Sequence, residues 1–235
     1  ETEGIRQDIP MPLVRITASV SCKESTPDGG MPIKVTYDKV EILNKPGIPP
    51  ELSVQFKEVM GSMQGIITSG IMTPQGLCED VDVKFPENFH PELKKSIDDL
   101  KQSFNSFAQP FPKEAIGKGA RWQVSMPFTS EGIKGTQVST LSLMDIQGDK
   151  VKMEITTKQT APVQEIDVPE APGGKGQLLS YKSTGTGISE GSLTGFSNAK
   201  YELNETRNQT LSVNGAEMKM TMKQGLVLRP HQGSD

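Results

Sequence analysis

Cysteine, histidine and tryptophan are scarce in this chain of 235 residues, with two, two and one respectively. Two cysteines cannot build the disulfide framework of a small stapled scaffold. Together with His90 and His231, which lie far apart, they show no metal-ligand spacing, so neither a metal nor another cofactor is expected. No apolar run approaches the roughly 20 residues of a membrane-spanning helix. No sign of charge is concentrated either: 25 Lys and Arg against 29 Asp and Glu give a net charge of −4, spread along the chain. The basic footprint that nucleic acid or an anionic membrane would require is missing. Aromatic residues make up 5% of the chain, hydrophobic ones 34%, and the mean hydropathy is −0.43, values that predict a lean core.

What the chain does have is one long stretch of helical spacing. From Pro91 to Ala108 the residues Leu93, Ile97, Leu100, Phe104 and Phe107 recur at steps of four and three, which puts them on a single helical stripe. Pro91 suits a first turn, and Pro110 and Pro112 prevent the helix from continuing. A second, shorter amphipathic helix is predicted from Glu51 to Met63, with Leu52, Phe56, Val59, Met60 and Met63 on its apolar side. Such helices need a partner surface to bury their stripes.

Most of the remaining chain alternates. Leu13 to Cys22 sets Val14, Ile16, Ala18, Val20 and Cys22 against Arg15, Thr17, Ser19 and Ser21, the pattern of a half-buried strand. After the turn signal Thr26-Pro27-Asp28-Gly29-Gly30 the alternation resumes at Ile33, Val35 and Tyr37 and slips by one at Val40 and Ile42, which predicts a β-bulge near Asp38. Hairpins are expected around Pro74, around Glu131-Gly132 and at Gly148, and Ala161 to Gly176 reads as a Pro/Gly-rich surface loop or crossover. Asn214-Gly215 predicts a type I′ hairpin leading into Met218, Met220 and Met222, which alternate with Lys219, Thr221 and Lys223. The expected fold is α+β: one large curved antiparallel sheet, a half-barrel, with the long and the short helix packed on one face. A single domain is expected over 1–235, with polar tails near 1–9 and 229–235.

Motifs for chemistry are weak. Gly187-Ile188-Ser189-Glu190-Gly191 matches G-x-S-x-G, but its surroundings read as a glycine-rich turn between strands, without the following helix that a nucleophile elbow needs. Glu79-Asp80-Val81-Asp82 lacks the glycine and spaced ligands of a calcium loop. No catalytic residue is assigned, and the chain is not expected to be an enzyme. Cys22 and Cys78 are either buried thiols or, in an exported chain, partners in a disulfide closing a long loop.

The order of these parts resembles an uncharacterised family of bacterial exported proteins and lipoproteins, a domain of unknown function. The resemblance rests on Val35-Thr36-Tyr37-Asp38-Lys39-Val40, on Phe111-Pro112 followed by Gly117-x-Gly119-x-x-Trp122, on Gly185-Thr186-Gly187, and on Met218 to Lys223. It spans about Met11 to Leu228; Cys22 and Cys78 are not part of the pattern. The layout also looks like periplasmic lipoprotein and lipid carriers with a curved half-barrel sheet. This likeness implies an exported protein of the periplasm or cell surface, with lipid anchoring upstream of Glu1 as one form of it. The expected function is a non-enzymatic envelope domain that binds an apolar ligand, a lipid or acyl chain, between sheet and helix. Its candidate lining is Met60, Met63, Leu93, Ile97, Leu100, Phe104, Phe107, Met218, Met220 and Met222. The alternative is a structural or protein-interaction module of the envelope with a filled core, in which the same methionines are plain packing. Its partner would be another envelope protein; nucleic acid is not expected.

Overall fold

The computed structural model describes residues 10–43, 47–87, 89, 110–168, 174–193 and 195–231, with backbone alone at 52, 55 and 195–198. The described residues are almost entirely β, 66% strand against 5% helix, arranged as two antiparallel sheets. This overturns the α+β expectation of one large half-barrel sheet carrying a long and a short helix. Alternation built more strand than expected and distributed it over two sheets, and the predicted long helix, with Leu93, Ile97, Leu100, Phe104 and Phe107, lies outside the described residues. The chain divides into two compact units.

The first unit holds a four-stranded sheet in the order β1 (Leu13–Cys22), β2 (Met31–Leu43), β3 (Ile67–Met72), β4 (Cys78–Lys84). Tyr37 stands opposite Ala18 and Lys39 opposite Thr17, so Asp38 is the extra residue of a bulge that keeps the two strands' apolar faces in phase. Ile33, Ile66 and Cys78 are buried, whereas Ile16, Val20 and Cys22 on edge strand β1 are exposed. The shorter predicted helix forms as α1 (Pro50–Gly61), with a proline in its first turn and Glu51 at the positive end of its dipole. The chain leaves α1 through tight turns, Met63 N–H donating to Met60 C=O and Gln64 N–H to Gly61 C=O, each 3.1 Å.

Cys22 and Cys78 are not joined in a disulfide. They sit on the two edge strands of this sheet with β2 and β3 between them, about 14 Å apart at the ordinary strand spacing, twice the Cα separation a disulfide tolerates. The candidate Cys22–Cys78 bridge is therefore not formed.

The second unit contains β5 (Arg121–Ser130), β6 (Ile133–Gln147), β7 (Lys150–Ala161), β8 (Gln164–Asp167), β9 (Lys175–Ser192), β10 (Gly195–Val213) and β11 (Ala216–Leu228). Their order is β11-β10-β9-β7-β6-β5, with β8 beside β9. Two connections are two-residue turns with both central residues at positive φ, Glu131-Gly132 and Asn214-Gly215, as a type I′ hairpin requires. Two expectations are corrected here. The Pro/Gly-rich segment after Ala161 contains the short strand β8, and the Gly187–Gly191 stretch is not a turn but the interior of β9, with Ser189 paired to both Tyr201 and Met153. A side chain at Gly187 would collide with the Glu202 carbonyl, so glycine there permits close strand approach rather than a reversal.

One face of this sheet carries the core, in two clusters. Leu141, Leu143, Val151, Met153 and Ile155 form one, flanked by Phe111, Trp122, Val124 and Tyr201. Phe128, Ile133, Ile166, Leu178, Tyr181 and Leu211 form the other. In the second cluster the sheet curls: the Phe128 ring on β5 meets the Tyr181 ring on β9 at 5.5 Å, although β6 and β7 lie between them in strand order.

Candidate functional site on the seven-stranded sheet

Between the two apolar clusters the same inner face turns polar. Reading cross-strand partners from edge to edge, one row runs Met222, Arg207, Ser183, Gln159, Gln137, Met126. The next runs Gln224, Glu205, Gly185, Thr157, Ser139, Val124, and beyond it Leu226, Leu203, Gly187, Ile155, Leu141, Trp122 restore apolar character. Alternation along each strand keeps these rows on one face. The result is a polar belt two residues deep, set into a hydrophobic surface.

Burial makes the belt costly unless its groups are paired, and most of them are. Gln159 Nε2 donates to Gln137 Oε1 at 2.8 Å, Gln137 Nε2 donates to Ser139 Oγ at 3.2 Å, and Tyr181 O–H donates to Gln159 Oε1 at 2.9 Å. Glu205 accepts from the Ser183 hydroxyl and, at 2.7 Å, from Gln224 Nε2. Arg207 departs from this economy. Its side chain is 9% exposed, its ion pair runs at 3.3 Å to Glu131, which is 63% exposed, and its cation lies 5.8 Å from the centre of the Tyr181 ring. Among the described residues its Nε has no hydrogen-bond partner, and neither has Oε1 of Gln209 two residues on along the same face. A buried guanidinium with an unpartnered N–H carries a desolvation cost that nothing in the belt offsets, which sets Arg207 apart from its neighbours.

No family model, curated protein or solved structure matches this chain.

The local field acts on the nearby phenols. Burial pushes the Tyr181 hydroxyl above the ordinary tyrosine range; Arg207 draws it part of the way back, and Glu205 and Glu131 push it up. Burial, with Glu205 adding to it, raises Tyr201 to about 12.

The candidate residues of the sequence analysis separate. Met218, Met220 and Met222 stand in line on β11, 45%, 40% and 42% exposed, opposite Leu211, Gln209 and Arg207 respectively. Leu226 and Leu228 continue the stripe on the same face, also exposed. They form an open apolar wall at the sheet's edge rather than packed core. Met60 and Met63 are half-buried in and just after α1, in the other unit. No group of acidic, histidine and cysteine side chains able to hold a metal occurs among the described residues. Asp80, inside the acidic run, takes φ 51° where the β3–β4 register shifts, so the run is a bulged strand rather than a ligand loop.

Sequence reasoning missed Arg207, Glu205, Gln209, Tyr181 and Ser183. Their signal was present: Glu205, Arg207 and Gln209 share the parity of Leu203 and Leu211 on β10, three polar residues in an apolar register.

Proposed function

We propose that the inner face of the seven-stranded sheet belongs to a non-enzymatic exported protein and binds a single-chain amphiphile with an acidic head. The apolar chain lies along Met218, Met220, Met222 and Leu226, and the head reaches Arg207. One observation carries this reading: buried Arg207, whose Nε has no partner among the described residues, pairs across the ladder with Met222, the last of three solvent-open methionines on β11. Desolvation of the wall supplies affinity, and methionine side chains adapt to chains of different shape. The guanidinium supplies selectivity for acid over alcohol, since a hydrogen bond to a charged group contributes about 1.5–3 kcal/mol.

The test pairs gentle native mass spectrometry and organic extraction of the purified protein with titration of a fatty acid and the fatty alcohol of equal length. The acid should bind about ten- to a hundredfold more tightly than the alcohol, and Arg207→Gln should erase that difference while leaving alcohol binding in place. No co-purifying amphiphile together with no uptake of the added acid, or an acid preference that survives Arg207→Gln, would sink the reading.

A further inference from the structure

Independently of any ligand, β11 presents a sheet edge that pairs with no further strand among the described residues. It is the terminal strand of its sheet, its 13 residues are exposed throughout, and its register with β10 runs without a break from Ala216 to Leu228. The Asn214-Gly215 turn makes Val213 and Ala216 the first hydrogen-bonded pair of the ladder. Every second residue from Ala216 therefore spends its N–H and C=O on β10, while Glu217, Lys219, Thr221 and Lys223 aim theirs out of the sheet. An edge of this length without proline or bulge is a template for another strand.

The charges along this edge select both partner and register. A second copy of β11 laid antiparallel about an axis at Met220 sets Glu217 opposite the partner's Lys223, Lys219 opposite the partner's Thr221 and Met218 opposite the partner's Met222, and by symmetry each of these pairs occurs twice. Moving the axis to Thr221 sets Lys219 against the partner's Lys223, two like-charge pairs; moving it to Met222 leaves Glu217 and Lys219 facing the partner's Val227 and Gly225. We infer that β11 pairs edge to edge with the β11 of a second copy of this chain, antiparallel and centred on Met220, joining two seven-stranded sheets. The pairing uses the strand's rim and leaves its methionine face open, so it neither needs nor forbids an amphiphile on that face.

Sedimentation of the full chain over a range of concentrations reads the dimer, and charge reversal reads the register. Glu217→Lys and Lys223→Glu should each weaken association about tenfold, because each converts both attractive pairs to repulsive ones, and the two together should restore it. In a Cys22→Ser background, Met220→Cys should cross-link on oxidation, because residues facing across the axis at a non-hydrogen-bonded position lie within disulfide range. A chain that stays monomeric, a dimer indifferent to the single reversals, or cross-linking through Met222→Cys in place of Met220→Cys overturns the proposal.

Discussion

A buried arginine contributes little to stability when its ion-pair partner is a solvated side chain. Desolvating the guanidinium costs several kcal/mol, and Glu131, largely in water and 3.3 Å away, returns a fraction of that. Replacing Arg207 by methionine removes the buried charge and the vacant donor together, and it strands nothing, since Glu131 is left exposed. Arg207→Met should therefore unfold in urea within about 1 kcal/mol of the parent or be more stable, while acid selectivity disappears. A loss of about 3 kcal/mol or more would mark Arg207 as a structural member of the belt. Retained stability with lost selectivity is the pattern of a residue kept for binding.

At the scale of elements, alternation carries most of the information. Because Asp38 is the surplus residue of a bulge, its deletion joins Tyr37 to Lys39 with their partners Ala18 and Thr17 already in order. Deleting Asp38 should keep the circular dichroism spectrum and change stability by about 1 kcal/mol or less, at the cost of the exposed Ser19–Asp38 hydrogen bond. Deleting Thr206, which sits at an unbulged position, would move Arg207 and Gln209 to the opposite face and should abolish folding of that unit. The slip of alternation at Val40 made the first bulge legible in sequence, as did the bounds of β1, the α1 helix and the Asn214-Gly215 turn. Each of these depends on neighbours in the chain. Which strands share a sheet was not legible, because alternation specifies a face and not a partner. Nor was the run of β9 through Gly185 and Gly187, where residues that punctuate most chains serve close strand packing. The methionine wall was visible as a pattern, but its exposure was not, and the polar belt opposite it went unread because its residues match no motif and only their parity gives them away.

At the scale of the molecule, the chain's three tyrosines report on both units: Tyr37 in the first, Tyr181 and Tyr201 in the second. Burial pushes all three phenols above their ordinary value, Tyr201 to about 12. A raised phenol favours the neutral form, so the folded chain holds protons that the unfolded chain has released once the pH passes about 10. The contribution of these groups to stability is thus fully present below pH of about 10 and lost as pH climbs through the folded-state values, toward about 12 for Tyr201. Phenolate absorbance of the native protein should remain below half of its maximum at a pH of about 10, whereas in concentrated denaturant all three tyrosines should titrate around that value. Urea midpoints should fall steadily over the same alkaline interval. A native titration centred on the free-tyrosine value would mean that these rings are in contact with water, and would remove the packed face against which the Arg207 belt is built.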